Sequence, residues 1–256
     1  MVPIVEPDED QPDKRKGKRL SWREAKLSLA HAQGSRTPIY ARTIAGGVEV
    51  AGRQMLDCAV RAGFGAHSRV HAVGDGAPWI VGQIEQRFGE QGSYLIDFYH
   101  VCEYLSAAAE ATAPDAAARE AWMETQKDAL KDGRLMSTLR ALVVHCEPAD
   151  VDDDKAPVRA CHRYLSARAK QLNYRQALTD GLPIGSGEIE SAHRYVVQQR
   201  LKRPGAWWRV EHADWMLALR TTRINGDWGA YWAALDPNSS PPANRNTPTP
   251  APKAAA

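Results

Sequence analysis

The sequence lacks the features that would assign it to a membrane, to a disulfide-stapled scaffold or to a strongly charged class. No apolar run approaches the ~18 residues of a membrane-spanning helix. The amino terminus is polar and acidic, and a secretory signal peptide is not expected there. Only four of the 256 residues are cysteine (Cys58, Cys102, Cys146 and Cys161), and none forms a C-x-x-C pair. A chain of this length builds a core without staples, so reduced thiols of a cytosolic protein are expected. His145-Cys146 and Cys161-His162 set ligands side by side, an awkward arrangement for tetrahedral zinc. The net charge is only +2, so the placement of charge, not its sum, has to reveal any polyanionic partner. No internal repeat is present. What remains is an ordinary globular composition, 43% hydrophobic and 25% charged, enough for one large domain or two small ones.

Along the chain, the pattern alternates before it becomes helical. Residues 1–19 are proline-rich and charged and are expected as a solvated loop. Trp22 to Ala30 alternates like a strand, and Pro38 to Ala45 reads as a second. Residues 48–63 read as a helix with Val48, Met55, Leu56, Ala59 and Val60 on one side and Gly63 at its end. Ser68 to Val73 is a short strand leading to Asp75, and Pro78 suits the first turn of a helix carrying Trp79, Ile80, Ile84 and Phe88 on its apolar face. Ser93 to Asp97 is a buried-type strand, and Val101 to Ala111 is helical. From Pro114 onward, residues 115–178 show only helical periodicity, split by the acidic loop Asp150 to Asp154. Gly181 to Gly187 interrupts it. A long helix then begins near Glu188 with Ser186 as its N-cap, and Pro204-Gly205 ends it. A Trp-rich helical segment runs to about Leu235. From Asp236 the chain holds six of its sixteen prolines and is expected to be disordered. The expected class is mixed α/β in the latter part of a ribonuclease H-like order, lacking a first strand. Its expected parts are a core over 20–112, a helical insertion over 113–180, and a final core helix with the Trp-rich segment over 181–235.

Three separated segments carry an acid where a strand ends or a helix starts. They are His71 to Ile80 with Asp75, Tyr94 to His100 with Asp97, and Gly181 to Glu190. Carboxylates collected from the ends of different elements are how folds hold catalytic divalent cations. Asp75 precedes Gly76, which permits a sharp turn into a cleft, although an Asp-Gly pair also makes a plain turn. Asp97 follows 22 residues later, with His100 three residues on. Together they fit a metal or phosphate contact, or else an N-cap aspartate beside a hydrogen-bonded histidine. Glu190 lies 93 residues past Asp97, in the first turn of its helix. Glu188 points about 200° away from it, so one of the two faces a cleft. Ile189, Ala192 and Val196 mark the buried side. Residues 194–210 hold Arg194, Arg200, Lys202, Arg203 and Arg209 with Tyr195, Trp207 and Trp208 interleaved. That combination suits phosphate contact and base stacking, or a solvated helix face followed by core tryptophans. Trp215, Trp228 and Trp232 are expected in the core.

At these positions the chain resembles bacterial insertion-sequence transposases of the DDE type, of the Kra branch. The matching strings are Val73-Gly-Asp-Gly-Ala-Pro-Trp-Ile80, Leu95-Ile-Asp-Phe-Tyr-His-Val101, Leu182-Pro-Ile-Gly-Ser-Gly-Glu-Ile-Glu190 and Gln199-Arg-Leu-Lys-Arg-Pro-Gly-Ala-Trp-Trp208, within a resemblance from Met1 to about Trp232. The resemblance implies a ribonuclease H-like core and Mg²⁺- or Mn²⁺-dependent cleavage and rejoining of transposon DNA. It implies transposon-end and target DNA as partners, a homo-oligomer on DNA, and a place at the bacterial nucleoid. Carried over by position, Asp75 is the second catalytic aspartate and Glu190 the glutamate, both metal ligands, and Asp97 with His100 is an Asp-x-x-His pair. In such proteins the first catalytic aspartate stands just before a segment like Met1-Val-Pro-Ile-Val5. Asp8, Asp10 and Asp13 lie in a Pro-rich stretch and do not replace it. The expectation is a truncated transposase core, weakly active or inactive. The other readings are a non-enzymatic DNA-binding remnant and a stand-alone ribonuclease H-like nuclease.

Overall fold

Residues 1–8, 10, 12, 13 and 17–236 are described by a computed structural model. The disordered tail expected from Asp236 onward lies, beyond Asp236 itself, outside the described residues. The fold is mixed α/β with a helical majority and small sheets. Strands β1 (Val2–Pro7) and β2 (Lys18–Arg23) form an antiparallel ladder from Val2↔Arg23 to Pro7↔Lys18. β3 (Lys26–Ala30) and β4 (Ile39–Thr43) form a second. After helix α1 (Val48–Arg61), β5 (Val70–Gly74) and β6 (Gly92–Ile96) pair in parallel, joined by helix α2 (Pro78–Phe88). Parallel neighbours require such a crossover, because the chain must return to the same end before starting the second strand.

The stretch 1–19, read as a solvated loop, holds a buried strand instead. Val2 and Ile4 are fully buried, and β1 is bonded on both edges. On the side away from β2, Val5 N–H donates to the Trp208 carbonyl at 2.8 Å, and Trp208 N–H donates to the Pro3 carbonyl at 3.2 Å. Pro3 and Pro7 are accommodated within the strand. A strand residue directs its N–H and C=O to the same side, so the donor Pro3 lacks would face the Trp208 edge, where bonding begins at the Pro3 carbonyl. The single strand expected over Trp22 to Ala30 is broken at Glu24-Ala25, its first part pairing with β1 and its second with β4. The single mixed sheet expected of a ribonuclease H-like order is likewise not formed. The described strands make three two-stranded ladders, and no hydrogen-bonded ladder joins β5–β6 to the two hairpins.

The helical insertion consists of α4 (Ala116–Lys131), α5 (Leu135–Val143), α6 (Pro157–Ala167) and α7 (Tyr174–Thr179). It is not a separate body. Its Leu130, Leu142, Leu165 and Tyr174 share one core with Ile96 of β6 and with Val101 and Leu105 of α3 (Phe98–Thr112). A second core joins Val2, Ile4 and Tyr40 to the helical segment after Gly187 and to α10 (Val210–Ile224). A third, smaller one lies between α1 and α2 at Ala59, Ile84 and Phe88. Val48 and Val60, expected on the apolar side of α1, are exposed, and the buried side is Ala51, Gly52, Cys58 and Ala59. Trp215, Trp228 and Trp232, expected in the core, are exposed as well. α10 buries Ala213, Leu217 and Thr221, which leaves Trp215 on its outer face. α11 (Trp228–Leu235) stacks Trp228 on Tyr231 and sets Trp232 edge-on to both without burying any of them. All four cysteines are free, and burial pushes the Cys58 and Cys161 thiols up to about 12, which keeps both as inert thiols. No helix among the described residues is long and apolar enough to cross a membrane.

Ile4→Ala tests whether the first residues belong to the core. A loss of about 2–5 kcal/mol is expected by urea denaturation, as for a fully buried large-to-small change. A solvated loop position would change stability by no more than about 0.5 kcal/mol.

Candidate functional site

The last β5–β6 pair is Gly74↔Ile96, so Asp75 and Asp97 are the next residues on adjacent parallel strands. Asp97 N–H donates to the Gly74 carbonyl at 2.7 Å and carries the ladder one bond further. Both acids therefore sit at the carboxyl edge of a parallel pair, where open α/β sheets bind their ligands. Asp75 is exposed, and one of its carboxylate oxygens accepts the Ala77 N–H at 3.0 Å. The chain turns at Gly76 with φ +84°, and a Cβ there would lie 2.5 Å from the Tyr164 hydroxyl, so only glycine fits. Two tyrosines hold the turn. Gly76 N–H donates to the Tyr94 hydroxyl at 2.8 Å, and the Tyr164 hydroxyl donates to the Asp75 carbonyl at 3.0 Å. Burial raises both phenols, Tyr164 to about 12, so both stay neutral at ordinary pH, Tyr94 as acceptor and Tyr164 as donor.

Asp97 is buried and fully engaged. One oxygen accepts Tyr99 N–H at 2.6 Å and His100 N–H at 3.3 Å, capping α3. The other accepts Ser186 N–H at 2.7 Å and the Ser186 hydroxyl in a short contact. A carboxylate offers about four acceptor sites, and all four are taken. Two further bonds tie the same loop down: Phe98 N–H donates to the Ile184 carbonyl at 2.9 Å, and the His71 ring donates to the Pro183 carbonyl at 2.8 Å. Gly185 packs so closely that a Cβ would lie 2.8 Å from the Tyr99 ring. Of the two readings open for Asp97, the geometry is that of the helix cap. His100 meets Asp97 only through its backbone N–H. Its ring bonds Glu103 at 3.1 Å and lies edge-on to Tyr104 and Tyr164.

Helix α8 (Gly187–Ala192) starts at this tied loop. Ser186 occupies the N-cap position, but its hydroxyl goes to Asp97 and not to a first-turn amide. Its carbonyl accepts Ile189 N–H at 2.9 Å and Glu190 N–H at 3.2 Å. Glu188 pairs with His31 at 3.1 Å. The Glu190 carboxylate is exposed and has no hydrogen-bond or ion-pair partner among the described residues, while Ala192 and Val196 are buried as expected. The helix continues through a π-helical turn, His193–Gln198, into α9 (Gln199–Leu201). Arg220 explains the widened turn. It donates to the Val196 carbonyl at 2.7 Å and to the Tyr195 carbonyl, diverting two acceptors from the helical ladder. Burial holds His193 below the ordinary histidine range, with the Met1 ammonium and Lys202 adding to the effect.

Asp75 and Glu190 are the exposed acids with lone pairs to spare, and hard carboxylate oxygens suit Mg²⁺ or Mn²⁺. Among the described residues no three His, Cys, Asp or Glu side chains are grouped to hold a metal ion, and Asp97 has no acceptor site left for one. Beside Asp75 stands a wall absent from the sequence reading. Tyr104 and Tyr164 stack at 4.0 Å, and the Arg168 guanidinium lies 4.2 Å over the Tyr164 ring and 3.5 Å from the Gly76 carbonyl. Tyr164 and Arg168 come from the insertion and its end, where helical periodicity gave no sign of a link to a residue 89 positions earlier. In the basic segment, Arg194, Arg200, Lys202, Arg203 and Arg209 are exposed. Trp208 is structural, bridging to β1 under Arg200, and Trp207 is exposed.

Comparison of the chain with protein-family models, curated proteins and solved structures gives no match. The site is therefore tested on its own bonds. Asp97→Ala is expected to cost about 2–4 kcal/mol and Ser186→Ala about 1 kcal/mol, from lost caps and unsatisfied amides. Their double mutant should cost up to about 1 kcal/mol less than the sum, close to Asp97→Ala alone, because both break the same tie. Additive losses in urea denaturation would show the two to be independent. His193 gives a pH signature. Its folded pKa is depressed, so its contribution is present above about pH 6.5 and is lost as pH falls and the unfolded chain takes up the proton. His193→Gln should flatten the decline in melting temperature as pH falls below about 6.5.

Proposed function

We propose that this chain is a DDE-type insertion-sequence transposase core of the Kra branch, acting in DNA transposition by metal-dependent cleavage and strand transfer. The observation that carries the reading is convergence. Three motif segments, separated by 22 and 93 residues, meet at one edge of the β5–β6 pair. Asp75 and Asp97 end neighbouring strands, and the helix of Glu190 starts from the loop that Asp97 binds. On this reading Asp75 and Glu190 would hold Mg²⁺ or Mn²⁺, which would supply activation of a water or 3′-hydroxyl and charge stabilisation at the phosphate. Asp97 is a positioning residue that fixes the Glu190 helix against the strand ends. The Arg168 guanidinium, held over the Tyr164 ring next to the Asp75 turn, suits a phosphate oxygen. Arg194, Arg200, Lys202, Arg203 and Arg209 give a backbone contact for transposon-end and target DNA, with a homo-oligomer assembled there at the bacterial nucleoid.

The test is cation-dependent cleavage of duplex DNA carrying insertion-sequence ends. Asp75→Ala and Glu190→Ala should each lower the rate about 100-fold or more, the scale for a group acting in the transition state. Binding of the same DNA should change less than about threefold. Cleavage unaffected by both substitutions removes the proposal. Strongly salt-dependent binding without cation-dependent cleavage favours the non-enzymatic DNA-binding reading, which the exposed basic segment also supports.

A further inference from the structure

We propose that Trp22 and Trp207 form a stacking platform for unpaired nucleic-acid bases, bordered by Arg23, Lys202, Arg203 and Arg209. The inference deepens the DNA-binding reading and rests on it. Every residue of β2 is exposed, although its ladder partner β1 buries Val2 and Ile4 completely. Trp22 is 58% exposed and Trp207 42%, yet their ring centroids lie 6.2 Å apart at a tilt of 57°. Pro3 accounts for the meeting. Trp22 stands opposite Pro3 in the β1–β2 ladder, and Trp208 bonds the Pro3 carbonyl on the other edge. Two residues far apart in sequence are thus brought side by side and left in water. A contiguous exposed pair of the largest apolar side chains marks a contact surface more strongly than a single exposed tryptophan does.

The surrounding charge selects the partner. Arg23, Lys202, Arg203 and Arg209 are exposed and have no acidic partner among the described residues. Of the acids close to them in sequence, Glu24 binds Lys26 at 2.7 Å, and Glu211, two residues past Arg209, leaves the group of four cations with an excess of positive charge. A second copy would bring the same positive charges against themselves, so a symmetric self-contact is disfavoured. A polyanion with aromatic faces fits. Bases in a duplex hide their faces in the stack, whereas unpaired bases offer them to an indole. The occupant is therefore a single-stranded stretch, such as the overhang left when a DNA end is cut unevenly.

Fluorescence anisotropy of the full chain with labelled DNA distinguishes the outcomes. The probes are a blunt duplex, the same duplex with single-stranded overhangs, and both in competition with poly-glutamate. The wild type should bind the overhang duplex about tenfold more tightly than the blunt one, the scale of stacking on one or two aromatics. Trp22→Ala/Trp207→Ala should lose that gain and keep blunt-duplex affinity. Trp22→Phe/Trp207→Phe should retain most of the gain, and unchanged melting curves should confirm that both fold. The platform is overturned if the gain survives the alanine pair, or if the wild type binds blunt and overhang duplexes equally while the DNA-binding reading stands. Displacement of the overhang by poly-glutamate as effectively as by oligothymidine also overturns it and points to an acidic protein partner. Failure to bind any DNA overturns both readings.

Discussion

One buried carboxylate organises the centre of this molecule. Asp97 ends β6, caps α3 and accepts two bonds from Ser186, so one side chain joins a strand, the helix after it and the loop that opens the Glu190 helix. A buried charge left unpaired is expensive, and this one is satisfied at each acceptor site. The same bonds that make Asp97 stable make it unavailable as a metal ligand. They also fix where Glu190 begins relative to Asp75.

A second constraint works from the opposite end of the chain. β1 is held between β2 and Trp208, and its Val2 and Ile4 complete the core that α8, the π-helical turn and α10 share. Arg220 reaches into that helix and widens it, so the segment after Glu190 is shaped by a residue from a later helix. The insertion contributes in a parallel way. It packs on α3 and β6 through Leu142, Leu165 and Tyr174, and through Tyr164 it grips the turn at Asp75. The carboxyl edge of β5–β6 is therefore enclosed from several directions by parts of the chain that have no local relation to it.

The parts legible from sequence are those governed by short-range periodicity or by glycine and proline. The helix after Pro78, the strands ending at Asp75 and Asp97, the all-helical block and the start of a helix after Gly187 follow from apolar spacing and from turn chemistry. The parts misread are those where a distant partner overrides local signals. Two prolines and a run of charge made the first residues resemble a loop, but burial of Ile4 and a bond from Trp208 keep them extended. Tryptophans were expected inside because of their area, yet Trp215 sits opposite the narrow buried stripe of α10 and stays in water.

By itself, the sequence determined the α/β class, the positions of Asp75, Asp97 and Glu190 at element ends, and the basic run from Arg194 to Arg209, because each is a property of consecutive residues. Tertiary structure alone decided which acids remain free. Asp97 became a structural tie and Asp75 and Glu190 stayed exposed, since satisfaction of a carboxylate depends on donors that folding delivers from elsewhere. It also decided that Tyr164 and Arg168 stand beside Asp75 and that Trp22 meets Trp207. No spacing rule links such residues, because their proximity is set by packing between elements and not by the period of any one of them.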